Sequence, residues 1–221
     1  MLCSGRLKLM DTVLLVFELI GTCAFAVSGA VLGITKRFDI FGVLFCGIIT
    51  ALGGGTIRDL LLGNLPPAMF RNYIYLIFAV ATCLLTFIIA SILKNKFSEN
   101  ITVIEKVNNV FDALGLGVFT VVGMNVAIGA GFSDNFFFVI FLGMTTGCGG
   151  GILRDVIVSE VPFVLKKRVY AVASIAGGIV YYILFVMFNQ NEIICAVAGI
   201  AVIFALRLLA SVFKWDLPKA I

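Results

Sequence analysis

Seven mainly apolar stretches, each about long enough to cross a lipid bilayer as a helix, follow one another along the chain with short polar breaks between them. A transmembrane helix needs about 20 apolar residues. Of the 221 residues, 62% are hydrophobic and only 13% are charged. Because a soluble domain carries about 25% charged residues, lipid is the better solvent for this chain. We therefore predict an all-α membrane protein that forms a single transmembrane domain, residues 1–221. The predicted spans are 12–34, 40–62, 70–93, 107–130, 136–158, 168–188 and 193–213.

The basic residues in the polar breaks predict the orientation of the chain, because Lys and Arg are enriched in cytoplasmic loops. One side of the membrane receives many more of them than the other, so we place that side in the cytoplasm. The N-terminus is then outside and the C-terminus cytoplasmic. The predicted cytoplasmic residues are Lys36, Arg37, Lys94, Lys96, Lys106, Lys166, Lys167, Arg168, Lys214 and Lys219, and the predicted outer ones are Arg6, Lys8 and Arg71.

The strongest internal signal is a repeated heptapeptide, GGGTIRD at residues 53–59 and GGGILRD at residues 149–155. The two copies align without a gap at an offset of 96 residues. The first spans of the two units align at an offset of 94, through Glu18 and Asp112. Because each unit has three spans, the second copy enters the membrane upside down, which defines an inverted repeat. Repeat one covers about 12–93, repeat two about 107–188, and a seventh helix at about 193–213 stands outside the repeat.

The chain begins with features of a signal peptide, because Arg6 and Lys8 precede an apolar run. We expect this segment to be kept, because the first span has a counterpart in the second repeat.

The glycine triplets are the first candidates for a functional role. Each glycine in a helix costs about 1 kcal/mol relative to alanine, so a run of three loosens or breaks the helix. Broken backbone at membrane depth is tolerated only beside protein or water. We predict kinked second and fifth helices that line an ion pathway; the alternative is that the glycines only permit close packing. The residues are Gly53, Gly54, Gly55, Gly149, Gly150 and Gly151.

An Arg-Asp pair follows each triplet, namely Arg58-Asp59 and Arg154-Asp155. Neighbouring side chains on a helix point about 100° apart, so we expect neither arginine to pair with its own aspartate. A charge at the bilayer centre is costly, which favours pairing across the repeats. We predict the crossed pairs Arg58 with Asp155 and Arg154 with Asp59. The alternative is that both arginines lie near the interface and snorkel.

Two further carboxylates, Glu18 and Asp112, occupy equivalent apolar surroundings in the first helices of the two units. Intramembrane carboxylates usually face a bundle interior or a water path, so these two either attract cations or pair with Arg58 or Arg154. Polar residues near the glycines are candidates for lining the same route. The candidate pore-lining residues are Thr50, Thr56, Thr145 and Thr146.

Several absences narrow the function. Histidine is absent and no two cysteines form a CxxC pair, so we predict no metal site. The chain contains no GxxxxGK[ST], HExxH or GxSxG motif, which argues against an ATP-driven pump, a protease or an esterase. We therefore predict no catalytic residue, no cofactor and no enzymatic activity. The formal charge of +4 comes without a long basic stretch, so we expect no nucleic-acid partner.

The doubled GGGxxRD motif followed by a seventh helix resembles the prokaryotic members of the trimeric intracellular cation (TRIC) channel family, also catalogued as a putative glycine-transporter domain. The resemblance covers about residues 12–213. It implies a homotrimer in the prokaryotic plasma (inner) membrane, with one pathway between the repeats of each protomer. The implied permeant ions are monovalent cations, chiefly potassium, with sodium as a second candidate. Animal members carry Lys-Glu where this chain has Ala51-Leu52, so their phosphoinositide regulation is not carried over.

Two functions remain open at this point. The first is a passive, potassium-permeable cation channel, since no energy source is visible and the expected partners are cations and membrane lipid. The second is a secondary transporter of a small solute such as glycine, because inverted repeats with broken helices are frequent in transporters.

Overall fold

The computed structural model describes residues 2–93, 101–166 and 169–215, without the side chains of residues 2–13, 101 and 166. Several residues used in the orientation argument lie outside this described part of the chain. They are Lys94, Lys96, Lys167, Arg168 and Lys219, together with the side chains of Arg6, Lys8 and Lys166.

The described residues form nine helices and no strand. The first four belong to repeat one, the next four to repeat two, and the last is the seventh span. They are α1 (Leu2–Thr35), α2 (Ile40–Leu61), α3 (Ala68–Arg71), α4 (Ile74–Ile92), α5 (Ile101–Ala127), α6 (Phe136–Ile157), α7 (Phe163–Lys166), α8 (Ala171–Tyr182) and α9 (Glu192–Val212). α5 and α8 continue into short π-helical segments, Ile128–Phe132 and Ile183–Met187.

Seven of these elements correspond to the predicted spans. Six helices are long and apolar enough to cross a membrane, and Ala171–Met187 is a shorter apolar helix in the position of span six. The two remaining helices, α3 and α7, are one-turn elements at equivalent places in the two repeats. The all-α membrane fold with two three-helix units and a seventh helix is therefore confirmed.

Helices α2 and α6 begin with the same local chemistry. Asp39 precedes α2, and its carboxylate accepts a hydrogen bond from the backbone N–H of Gly42 at 2.8 Å. Asn135 precedes α6, and its side-chain oxygen accepts from the N–H of Phe138 at 3.0 Å. Such caps satisfy N–H groups that have no partner inside the helix. Asp39 and Asn135 are equivalent at the 96-residue offset, so the repeat fixes where both helices start.

Helices α2 and α6 cross at the middle glycine of each triplet. A Cβ atom on Gly54 would overlap the backbone carbonyl of Thr146, and one on Gly150 would overlap that of Thr50. Both helices stay α-helical through the glycines, so the local break expected from three glycines does not occur. The alternative, close packing of backbone on backbone, is what the structure contains. The predicted kink of α2 and α6, in the form of a bend that leaves the helix continuous, stays a prediction.

Two stacked phenylalanines mark the pseudo-two-fold axis. Phe25 in α1 and Phe119 in α5 are equivalent at the 94-residue offset, and their ring centroids lie 5.4 Å apart. A side chain on Gly115 would overlap the ring of Phe25, and Gly21 leaves similar room beside Phe119. Each ring therefore fits a notch in the opposite repeat, and the axis passes between the two rings.

The seventh span, α9, packs closely on the second repeat at positions where small residues let the backbones approach. A Cβ atom on Gly199 would lie 3.2 Å from the carbonyl of Gly177 in α8, and one on Gly117 in α5 would lie 3.3 Å from Ile200. This packing places one face of α9 against the charged residues of repeat two.

Candidate functional site

The first charged site, which we call the Glu18 cluster, consists of Glu18, Arg58, Asp59 and Tyr75. Arg58 donates from Nε to Asp59 Oδ1 at 2.9 Å and from Nη1 to Glu18 Oε1 at 3.5 Å. The hydroxyl of Tyr75 donates to the second oxygen of Glu18. Asp59 Oδ2 accepts from the backbone N–H of Ala68, the first residue of α3, at 2.7 Å. The cluster thus joins α1, α2, α3 and α4 of repeat one.

The second charged site, which we call the Asp112 cluster, consists of Asp112, Arg154, Asp155 and Arg207. Arg154 donates from Nε to Asp155 Oδ1 at 2.9 Å and from Nη1 to Asp112 Oδ1 at 2.8 Å. Asp155 Oδ2 accepts from the backbone N–H of Phe163, the first residue of α7, at 2.7 Å. Atom for atom, Arg154 and Asp155 repeat the contacts of their counterparts in the Glu18 cluster.

These contacts show that the predicted crossed pairs, Arg58 with Asp155 and Arg154 with Asp59, are wrong. Each arginine folds back onto the next residue of its own helix and reaches the carboxylate in the first helix of its own repeat. The long arginine side chain overcomes the 100° separation of neighbouring positions. Both arginines also lie four residues after the α2–α6 crossing. Because the crossing helices run in opposite directions, this places the arginines on opposite sides of it, on the order of 12 Å apart.

Of the two roles left open for Glu18 and Asp112, pairing with the arginines is present in the structure, and attraction of cations stays a prediction. Burial also argues against snorkelling, because the side chain of Arg154 is fully buried and that of Arg58 is 7% exposed. A buried charge is stable only with partners, and both guanidinium groups have them.

The Asp112 cluster is joined to repeat one by a polar chain. Arg154 Nη1 donates to Ser28 Oγ of α1 at 2.6 Å, and Ser28 Oγ donates to Asn108 Oδ1 of α5 at 2.8 Å. Ser28 is fully buried and belongs to repeat one, whereas Arg154 and Asn108 belong to repeat two. These hydrogen bonds therefore cross the interface between the repeats.

Each cluster borders a cavity of its own. The Glu18 cluster lines a cavity of about 360 Å³ whose wall also includes Thr56 and the ring of Phe119. Asp155 of the Asp112 cluster lies at the base of an open vestibule of about 1180 Å³. The vestibule is also lined by the acidic residues Glu105 and Glu160. The glycine crossing of α2 and α6 and the stacked phenylalanines lie between these two spaces.

The members of each glycine triplet have different surroundings. Gly54 and Gly150 lie at the backbone crossing, as described above. A Cβ atom on Gly53 would meet the side chain of Leu153, and one on Gly149 would meet that of Ile57. Gly55 borders the Glu18 cavity, where an added Cβ would have only Arg58 near it, at 3.8 Å. Gly151, the counterpart of Gly55, lies beside Tyr170 and Arg154.

The four threonines proposed as pore-lining occupy different places. Thr50 and Thr146 are fully buried, and their hydroxyls donate to the carbonyls of Cys46 and Leu142, each at 2.6 Å. Thr56 lines the Glu18 cavity and donates to the carbonyl of Leu52 at 2.9 Å. Thr145 donates to the carbonyl of Phe141 at 2.9 Å.

Sequence reasoning missed Arg207, Tyr75 and the phenylalanine pair. Arg207 is the arginine inside the otherwise apolar seventh span, and an intramembrane charge is a functional signal by itself. Phe25 and Phe119 align in the repeat, but an aromatic residue in an apolar run gives no signal of its own.

The fold and the two charged sites define a class: a multi-pass membrane protein built from two inverted repeats that meet at buried glycines and flank buried ion pairs. The family model described as "Glycine transporter" matches the chain twice, at residues 15–91 and 109–186, once for each repeat. The chain belongs to this family, that of the prokaryotic TRIC channels, whose solved structures it resembles.

Curated relatives cover most of the chain. The UPF0126 inner membrane protein YadS of Escherichia coli strain K12 is 35% identical over 200 residues, which are 90% of this chain and 91% of that protein. A UPF0126 membrane protein of Deinococcus radiodurans is 45% identical over 163 residues, 73% of this chain and 71% of the relative.

Solved structures share the fold. A prokaryotic TRIC channel crystallised in 0.5 M KCl has a TM-score of 0.83 and 32% identity, covering 94% of this chain and 100% of that one. The TRIC orthologue from Rhodobacter sphaeroides has a TM-score of 0.81 and 30% identity, covering 92% of this chain and 100% of that chain.

Proposed function

We propose that the protein is a passive cation channel, permeable to potassium, with one pathway inside each protomer of a homotrimer. The observation that carries the proposal is the paired arrangement of the two charged clusters. Each holds buried carboxylates, each borders its own cavity, and the two lie on opposite sides of the α2–α6 crossing. Carboxylates facing a water-filled space attract cations and repel anions.

The proposed pathway runs from the Glu18 cavity, past the stacked rings of Phe25 and Phe119, to the vestibule at Asp155. The carboxylates of Glu18 and Asp59 act at one end. At the other end, Asp155 borders the vestibule, whose lining also includes Glu105 and the ion pair of Lys36 and Glu160. The glycine triplets hold α2 and α6 together between the ends. Two of the solved TRIC relatives are described as cation channels, which supports the same function here.

We place the protein in a prokaryotic plasma membrane with the N-terminus outside, the C-terminus cytoplasmic and lipid around the trimer. The curated relative YadS is named an inner membrane protein, which supports this location. With this orientation the Glu18 cavity faces outward and the vestibule faces the cytoplasm.

A secondary transporter of glycine is the second candidate, and the description of the matching family model favours it. Flux measurements in proteoliposomes separate the two functions. A channel gives potassium efflux whose rate continues to rise with KCl concentration and does not change when glycine is added. A transporter gives saturable uptake of labelled glycine that competes with unlabelled glycine. Protein-free liposomes from the same lipid are the control. Saturable glycine uptake without potassium flux would exclude the channel.

A further inference from the structure

The two charged clusters are equivalent in the repeats but not equal in charge. The Glu18 cluster has one arginine, Arg58, and two carboxylates, so its formal charge is −1. The repeat-derived part of the Asp112 cluster, Arg154 with Asp112 and Asp155, has the same formal charge of −1. The seventh helix then adds Arg207, which brings the Asp112 cluster to zero.

The contacts of Arg207 hold its charge in place. Its Nη2 donates to Asn109 Oδ1 at 3.0 Å and lies 3.7 Å from Asp112 Oδ2. Its guanidinium carbon lies 4.6 Å from the centre of the Tyr170 ring, within the range of a cation–π contact. Arg207 is only 2% exposed, so these contacts fix its guanidinium group inside the bundle.

The equivalent place in the Glu18 cluster is filled without a positive charge. Tyr170 and Tyr75 lie at nearly equivalent positions of the repeats, at an offset of 95 residues. Where Tyr170 supports Arg207 with its ring, Tyr75 donates its hydroxyl directly to Glu18. The inverted repeat therefore supplies a symmetric pair of negative sites, and the seventh helix removes the symmetry.

We propose that Arg207 sets the direction preference of the channel by cancelling the negative charge at one end of the pathway. This inference rests on the proposed channel function. The uncancelled charge at the Glu18 end concentrates cations there, so current entering from that end exceeds current entering from the other. The vestibule mouth also carries Lys36, Glu105 and Glu160, of which Lys36 and Glu160 pair at 2.6 Å. None of these residues changes in the variants below, so differences between the variants report the charges of the two clusters.

The size of the effect follows from Coulomb's law. One unit charge about 10 Å from the ion in a water-like medium changes the local cation concentration by about twofold. The Debye length is about 30 Å in 10 mM salt and about 3 Å in 1 M salt. The rectification is therefore expected in 10 mM KCl and lost in 1 M KCl.

Single-channel recording of four variants tests the proposal without knowing the orientation of each inserted channel. Glu18→Gln makes both ends neutral, and Arg207→Gln makes both ends negative, so both variants lose rectification in 10 mM KCl. Their conductances move in opposite directions: Glu18→Gln lowers the conductance about twofold and Arg207→Gln raises it about twofold. Arg207→Lys keeps the charge and retains the rectification. The pair Arg207→Gln with Asp112→Asn restores the original charges and the original rectification.

Assembly of each variant is checked by its elution as the wild-type oligomer. If Arg207→Gln does not assemble, Glu18→Gln decides, because it removes the uncancelled charge and with it the rectification. The proposal is overturned if assembled Arg207→Gln, or Glu18→Gln in its place, rectifies as the wild type does. It is also overturned if the changes persist in 1 M KCl. Absence of any wild-type current would instead overturn the channel function itself.

Discussion

The α-carbon of Gly54 in α2 lies so close to the backbone carbonyl of Thr146 in α6 that a side chain has no space between them. The opposing backbone cannot rotate away, unlike the end of a flexible side chain. Gly54→Ala is therefore expected to destabilise the protein by about 1–3 kcal/mol, the usual range for overpacking. Thermal unfolding of the purified protein in detergent measures the change.

The matched control for this substitution lies in the same triplet. Gly55→Ala adds the same methyl group to the same helix but meets only Arg58, at 3.8 Å. Because alanine favours helix by about 1 kcal/mol over glycine, this variant is expected to be neutral or more stable. Equal losses in both variants would mean that the glycines act through helix flexibility and not through the crossing.

Pairing within each repeat makes a second prediction about stability. Breaking a buried ion pair by removing one partner costs about 3–5 kcal/mol, so Arg154→Gln and Asp112→Asn are both expected to be strongly destabilising. In a double-mutant cycle these two changes are expected to couple strongly. Arg154→Gln and Asp59→Asn are expected to be additive, because the residues belong to different clusters.

Coupling of the opposite pattern, strong between Arg154 and Asp59 and weak between Arg154 and Asp112, would contradict the structure. The partly exposed pair of Lys36 and Glu160, whose charged atoms lie 2.6 Å apart, serves as a reference pair for which a small coupling energy is expected. Ion pairs at such exposure contribute at most about 1 kcal/mol.

The stacked phenylalanines make a third prediction. Phe25→Ala and Phe119→Ala each remove one ring from the axis between the two cavities, so each is expected to increase potassium conductance about equally. Phe137→Ala is the control, because Phe137 is 76% exposed on the outer face of the bundle. Single-channel recording in symmetric KCl measures all three. Unchanged conductance in both axial variants would place the pathway elsewhere.

The inverted repeat makes a prediction about sidedness. Lys36 follows α1 and Asn64 follows α2, and both are exposed. In a background carrying Cys3→Ser, Lys36→Cys is expected to react with a membrane-impermeant maleimide only after the cells are opened. Asn64→Cys is expected to react in intact cells. Cys23 is partly exposed and is also replaced by serine, and the buried positions of Cys46, Cys83, Cys148 and Cys195 keep the remaining native thiols from obscuring the result. The reverse pattern would invert the proposed orientation.

The sequence predicted the spans and the repeat well because both depend on periodic features. Apolar run length locates the helices, and the GGGxxRD copies at an offset of 96 residues align the two units. The caps Asp39 and Asn135 follow the same offset.

The partners of the charged residues were not predictable in the same way. Whether Arg154 reaches Asp155, Asp112 or Asp59 depends on the direction in which α2 and α6 cross, which one sequence does not reveal. Arg207 was missed because the seventh helix has no counterpart in the repeat against which a charge could be matched. Helix propensity predicted a break at the glycines because it takes no account of neighbouring helices. In the structure, Gly54 and Gly150 leave room for the backbone of the opposing helix.

The most direct test of the proposed function is recording from the purified protein in a planar bilayer with a KCl gradient. We expect unitary currents that reverse near the potassium equilibrium potential and that persist when glycine is added. Saturable glycine uptake by the same preparation, with no unitary current, would contradict it.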